Sequence, residues 1–215
     1  MSHGSRPVPA ARLVILGLLT TMASEPGHCL GGGPPPLPDS RLGHRQAPLL
    51  LLTRPEIRAE LKLSAEQTTG AERALTELYA RAAALKGKTG PEALAGRRAI
   101  DEAQESWLRT SLSEAQRKRL LEIDLQWEGA SALKSRPVVA DHLGLTNEQR
   151  ARLAEAIAER DHQRDADADL FESEKQLTRT VRAMLTQEQQ DRWKAMLGHS
   201  FTLHLADKTP SVAPR

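Results

Sequence analysis

Apolar residues in the middle of this chain recur at spacings of three and four rather than alternating. Leu75, Leu78, Ala82 and Leu85 form one such stripe, and Leu153, Ile157, Leu170, Leu177, Val181 and Met184 mark another. That spacing lines one face of an α-helix, whereas on a strand it would scatter over both faces. The stripes are punctuated by a five-residue phrase used four times: Leu63-Ser64-Ala65-Glu66-Gln67, Leu112-Ser113-Glu114-Ala115-Gln116, Leu145-Thr146-Asn147-Glu148-Gln149 and Leu185-Thr186-Gln187-Glu188-Gln189. Each reads Leu, then Ser or Thr, then two residues, then Gln. A Ser or Thr at a helix N-cap accepts from the backbone N–H three residues on, and a Gln there can accept from the cap's own N–H. The phrases therefore predict four helix starts. Seven residues beyond each cap stand Ala71, Leu120, Leu153 and Trp193, all apolar and two turns into their helices. Four residues beyond each cap stand Thr68, Arg117, Arg150 and Gln190. None is apolar, so the hydrophobic staple that often accompanies a capping box is not completed locally. The leucines of the phrases are expected to pack against other helices instead.

The pattern is duplicated. Pro55 to Gln67 aligns with Pro137 to Gln149 at an offset of 82 residues (55 to 137), with Pro, two Leu, Glu and Gln identical. The later phrases correspond at an offset of 73 (112 to 185), Leu108–Leu112 matching Val181–Leu185 and Arg119 matching Arg192. Each unit reads as a short helix, a phrase, a long helix, a second phrase and another helix. Gly87-Lys88-Thr89-Gly90-Pro91 interrupts the first unit, and Gly followed by Pro stops one helix and starts the next. The second unit has no Gly or Pro between Thr146 and Leu197, which predicts a long, nearly continuous helix there. The organisation expected is a leader over 1–23, a Gly/Pro-rich disordered linker over 24–52, helical units over 53–134 and 135–206, and a flexible tail over 207–215.

Composition narrows the fold. Apolar residues make up 39% of the chain and aromatics 3%, with three Trp. A core of Leu and Ala suits packed helices better than a sheet. The fold class is all-α, a bundle of long helical hairpins. Arg12 ahead of the apolar run Leu13–Leu19, with Thr21-Met22-Ala23 after it, has the layout of a cleaved secretory signal; the run is too short to span a bilayer. Without residues 1–23, which hold Arg6 and Arg12 and no acid, 28 basic residues balance 28 acidic ones. A neutral, mixed-sign surface gives no support for nucleic acid as a partner. Cys29 is the sole cysteine, so no internal disulfide can form.

Candidate chemistry is sparse. Asp161, Asp165, Asp167, Asp169, Glu172 and Glu174 share one stretch with His162. Asp165-Ala-Asp167-Ala-Asp169 imitates the start of an EF-hand loop, but Leu170 replaces the turn Gly and Gln176 the bidentate Glu. On a helix Asp161, Asp165 and Asp169 form an acidic stripe offset by Arg160 and Arg164. A solvated face is the reading taken, with a metal site at Asp161, His162, Asp165 and Asp169 as the alternative. His199 and His204 are wrongly spaced for one helix face, and His142 stands at a helix end where a cation suits the dipole. No phosphate-cradling loop, nucleophile elbow or Cys/His ligand spacing is present. No catalytic residue and no cofactor is assigned, and the chain is expected not to be an enzyme. Trp107, Trp127 and Trp193 are read as core, with Trp107 and Tyr79 on helices that could line an open face.

The phrase Leu-Ser/Thr-x-x-Gln, repeated on helices behind a secretory signal, resembles the LTxxQ-motif envelope proteins, the Spy/CpxP-like family. Thr146 and Thr186 keep the strict form, and Ser64 and Ser113 replace Thr. The resemblance spans about residues 54–198, here as a duplicated unit. It implies a small helical protein of the periplasm or cell envelope, often a homodimer of bent hairpins. It further implies an ATP-independent chaperone, an envelope-stress accessory or a metal-responsive protein, whose partners are proteins or unfolded clients. Chaperone members carry a positive concave face and metal-responsive ones His-rich segments; this chain has a neutral balance and no His-rich segment.

Overall fold

The computed structural model describes residues 47–165 and 170–201, and every regular element among them is helical. The expected signal over 1–23, most of the linker, Cys29, Asp167, Asp169, His204 and the tail from 207 lie outside the described residues. The elements are α1 (Pro48–Leu51), α2 (Pro55–Glu60), α3 (Ala65–Ala83), α4 (Pro91–Ser111), α5 (Glu114–Glu128), a 3-10 turn (Gly129–Ser131), α6 (Ala132–Ser135), α7 (Pro137–His142), α8 (Asn147–Asp165), α9 (Leu170–Met184) and α10 (Gln187–Leu197). The duplication is visible element by element. Shifting α2 by 82 residues gives the bounds of α7, and α3 starts 82 residues before α8. Shifting the end of α4 and the start of α5 by 73 gives the end of α9 and the start of α10.

Two expectations are corrected. The segment expected to close the disordered linker is folded: Leu49, Leu50, Leu51 and Leu52 are all buried. Four consecutive leucines bury too much apolar surface to stay in water, at ~25 cal/mol per Å². They also belong to the repeat, because Leu51, Arg54 and Pro55 recur as Leu133, Arg136 and Pro137 at the same offset of 82. The boundary drawn between 134 and 135 accordingly falls inside α6. Second, the long helix expected in the second unit is two helices packed side by side. Gln149 at the start of α8 reaches the carbonyl of Met184 at the end of α9, and Arg160 pairs with Glu174 nearer their other ends. The pair is antiparallel, as α3 and α4 are. Each arm has a narrow apolar stripe, and facing Leu153 and Ile157 toward Leu177 and Val181 buries both stripes at once.

The apolar side chains gather in two cores. The first holds Leu49–Leu52, Ile57, Leu75, Leu78, Ile100, Leu112, Leu120, Ile123 and Trp127. The second holds Leu125, Leu133, Val139, Leu143, Leu145, Leu153, Ile157, Leu177, Val181 and Leu185. Helix α5 serves both, with Leu120, Ile123 and Trp127 turned to the first and Leu125 to the second. It also packs on its counterpart α10, so the two units are in direct contact. Past α10, Gly198 adopts φ 63° and ψ −155°, matching Gly129 past α5 at φ 65° and ψ −144°. A Cβ at Gly198 would collide with the Glu122 carboxylate, and that backbone region suits glycine alone. The chain then carries Phe201 into the core of the first unit. Trp107 is half-buried over Gly70, where a Cβ would stand 3.6 Å from the indole, in ordinary van der Waals contact.

Candidate functional site

All four phrases form complete capping boxes. Gln67 N–H donates to Ser64 Oγ (3.1 Å) and Ser64 N–H to Gln67 Oε1 (3.0 Å). The same reciprocal bonds join Ser113 with Gln116, Thr146 with Gln149, and Thr186 with Gln189. The structure then brings the phrases together in pairs. Gln67 Nε2 donates to Gln116 Oε1 (3.0 Å), and Gln116 Nε2 donates back to Gln67 Oε1 (3.1 Å). The second hydrogens go to the carbonyls of Ser111 (2.7 Å) and Leu61 (3.2 Å), which are otherwise left over at helix ends. In the second unit Gln149 and Gln189 make the same amide pair (2.8 and 3.1 Å), with Met184 and Gly144 as carbonyl acceptors. Each glutamine thus caps its own helix and ties it to the other phrase.

The residues around the phrases complete these ties. Leu112, Leu145 and Leu185 are buried and Leu63 is half-buried against the first core. In three of the phrases the polar residue four beyond the cap has a partner the sequence does not display. Arg117 Nη1 donates to the Leu112 carbonyl (2.8 Å), Arg150 Nε to Leu145 (3.2 Å) and Gln190 Nε2 to Leu185 (3.1 Å). These side chains satisfy the carbonyl of the leucine that precedes the cap, in place of an apolar staple.

A polar seam runs through the junction of the units. Asp124 and Glu128 on α5 are each 1% exposed, and both face Arg136, at 2.7 Å and 2.6 Å. Burial works against the Arg136 charge, and the two carboxylates outweigh it and hold the guanidinium above its ordinary pKa. Ser135 Oγ donates to Glu128 as well. Nearby, Arg160 is buried and meets Glu174, Asp161 and the Ser131 hydroxyl. The sequence placed Arg160 on a solvated acidic face; the fold turns it inward. Its counterpart 82 residues earlier is Leu78, and that of Ser131 is Leu49, both buried in the first core. A hydrogen-bonded polar pair stands in the second unit where the first has two leucines.

Of the metal-site alternative, Asp161 is engaged by Arg160 and His162 is exposed, while the side chains of Asp165 and Asp169 lie outside the described residues. No group of three or more His, Cys, Asp or Glu converges among the described residues. Nor is any helix among them long and apolar enough to cross a membrane.

A groove of about 340 Å³ lies between α1, α4 and α5. Pro48, Leu108, Leu120 and Leu121 supply its apolar walls, and Glu105, Arg109, Arg117 and Asp124 its polar ones. Leu121 is 52% exposed. The volume sits at the lower end of the range of roughly 300–1,000 Å³ for ligand sites. The sequence put most of these residues on two helices joined by Leu112-Ser113 but gave no sign that they line one groove with Pro48 of α1, which stands far away along the chain. Comparison with protein-family models, curated proteins and solved structures finds no match for this chain.

Proposed function

We propose that this chain is an exported, non-enzymatic binding protein of the cell envelope that shelters apolar segments of unfolded proteins without ATP. The observation that carries the reading is the groove beside Leu121. Its apolar walls sit between charged side chains of both signs, which suits short amphipathic segments without demanding one sequence. The reading of an envelope compartment and a chaperone-like activity is supported by the resemblance of the four phrases to LTxxQ-motif envelope proteins. The test is light scattering of several chemically denatured clients, diluted with the purified protein at stoichiometric ratio and no nucleotide. The protein is expected to slow aggregation, and Leu121→Asp to weaken that effect while leaving helical circular dichroism intact. No protection of any client would overturn the reading.

A further inference from the structure

The segment after α10 is held in the manner of a bound peptide. Gln126 on α5 grips its main chain with both ends of one carboxamide. Nε2 donates to the carbonyls of Leu197 (2.6 Å) and His199 (2.8 Å), and Oε1 accepts from the N–H of Phe201 (2.8 Å). Arg119 Nη1 adds a second donor to the His199 carbonyl (2.9 Å). Of the side chains, those of His199 and Ser200 stand in solvent, and Phe201 is buried in the first core. The His199 ring touches only the rim, at Glu60 Oε1. Recognition therefore reads the main chain of a bent segment and one aromatic side chain, and main-chain contacts of this kind let peptide sites take segments of loosely defined sequence. The first unit supplies all of it, from α5 and its own core, and the second unit supplies the occupant.

We propose that the first unit carries a peptide site for a short bent segment anchored by a phenylalanine, and that Gly198–Phe201 fills this site in cis. A segment from another protein with the same chemistry competes with the strap. The inference does not depend on the groove at Leu121, which lies on a different face of α5. Tethering gives the strap an effective concentration in the millimolar range, so the wild-type site is masked and its apparent affinity lowered by the fraction open.

The experiment is fluorescence anisotropy of a labelled heptapeptide of residues 195–201 with full-length protein. Phe201→Ala is expected to bind the peptide about tenfold or more tightly than wild type does. Adding Gln126→Ala to that variant, or replacing the peptide's phenylalanine by alanine, is expected to abolish the gain. Equal binding by wild type and Phe201→Ala, or binding indifferent to Gln126, would overturn the proposal. If Phe201→Ala loses its helical circular dichroism, Phe201→Leu keeps more of the apolar volume, and the same order of affinities is required of it.

Discussion

The glutamine of each phrase has two functions, and only one is local. Accepting from the cap's N–H is work a glutamate does equally well. Donating to a carbonyl and to a second amide requires the Nε2 hydrogens, so glutamine is needed where two phrases meet. Gln116→Glu keeps the cap acceptor but takes the side-chain donor from the Leu61 carbonyl, leaves Gln67 Oε1 with Ser64 N–H alone and sets a carboxylate against that oxygen. A loss of about 1–3 kcal/mol is expected, against ~1 kcal/mol for Ser113→Ala, which removes a cap alone. Urea unfolding of the two variants checks the order; a smaller loss for Gln116→Glu would mean the amide tie adds nothing. The cap role was legible at residues 64–67. The tie was not, because Gln67 and Gln116 stand 49 residues apart and nothing local to either marks the other.

Helix ends meet helix ends through charge as well as amides. Glu60 closes α2 beside Arg119 of α5, with His199 on its other side. The Arg119 hydrogen bond holds the Glu60 carboxyl below its ordinary pKa, against the opposing effect of burial and with help from His199. A carboxyl depressed in the folded state contributes stability above its unfolded pKa, about 4.3, and that contribution fades as pH falls through the folded value. Glu60→Gln should therefore melt at a lower temperature than wild type at pH 6–7, with the gap closing below about pH 4. A gap that persists unchanged in acid would assign the effect to packing. The buried seam is more consequential. Arg136→Met removes the guanidinium that the buried Asp124 and Glu128 share, and a loss of about 3–5 kcal/mol is expected. Replacing all three with apolar residues of similar volume should recover most of it. A guanidinium titration in which Arg136→Met costs under about 1 kcal/mol would show that the pair is not closed in solution.

At the scale of the molecule, α5 and the strap after α10 join the two cores. Trp127 reports the first and Trp193 packs against the second. Because Leu120, Ile123 and Leu125 on one helix serve both, unfolding either core removes a wall of the other. Single-tryptophan variants retaining Trp127 or Trp193 are expected to show coincident denaturation midpoints. Transitions separated by more than experimental scatter would mean the units fold independently.

Sequence by itself determined the all-helical class, the four helix starts and the duplication. Each depends on spacing within a turn or two, which propensity, capping and periodicity express locally. It also supplied the fate of Ala71, Leu120 and Leu153, since an apolar residue two turns past a cap has one face to occupy. Tertiary structure alone decided that Leu49–Leu52 are core, that α8 and α9 are separate arms, that Arg160 points inward, and that the phrases lock in pairs. Those outcomes rest on partners far along the chain. A run of leucines beside a Pro-rich stretch, or an arginine beside aspartates, is ambiguous until a second surface is brought against it. The groove at Leu121 and the strap ending at Phe201 belong to the same class, because each is made by helices whose mutual placement no single segment encodes.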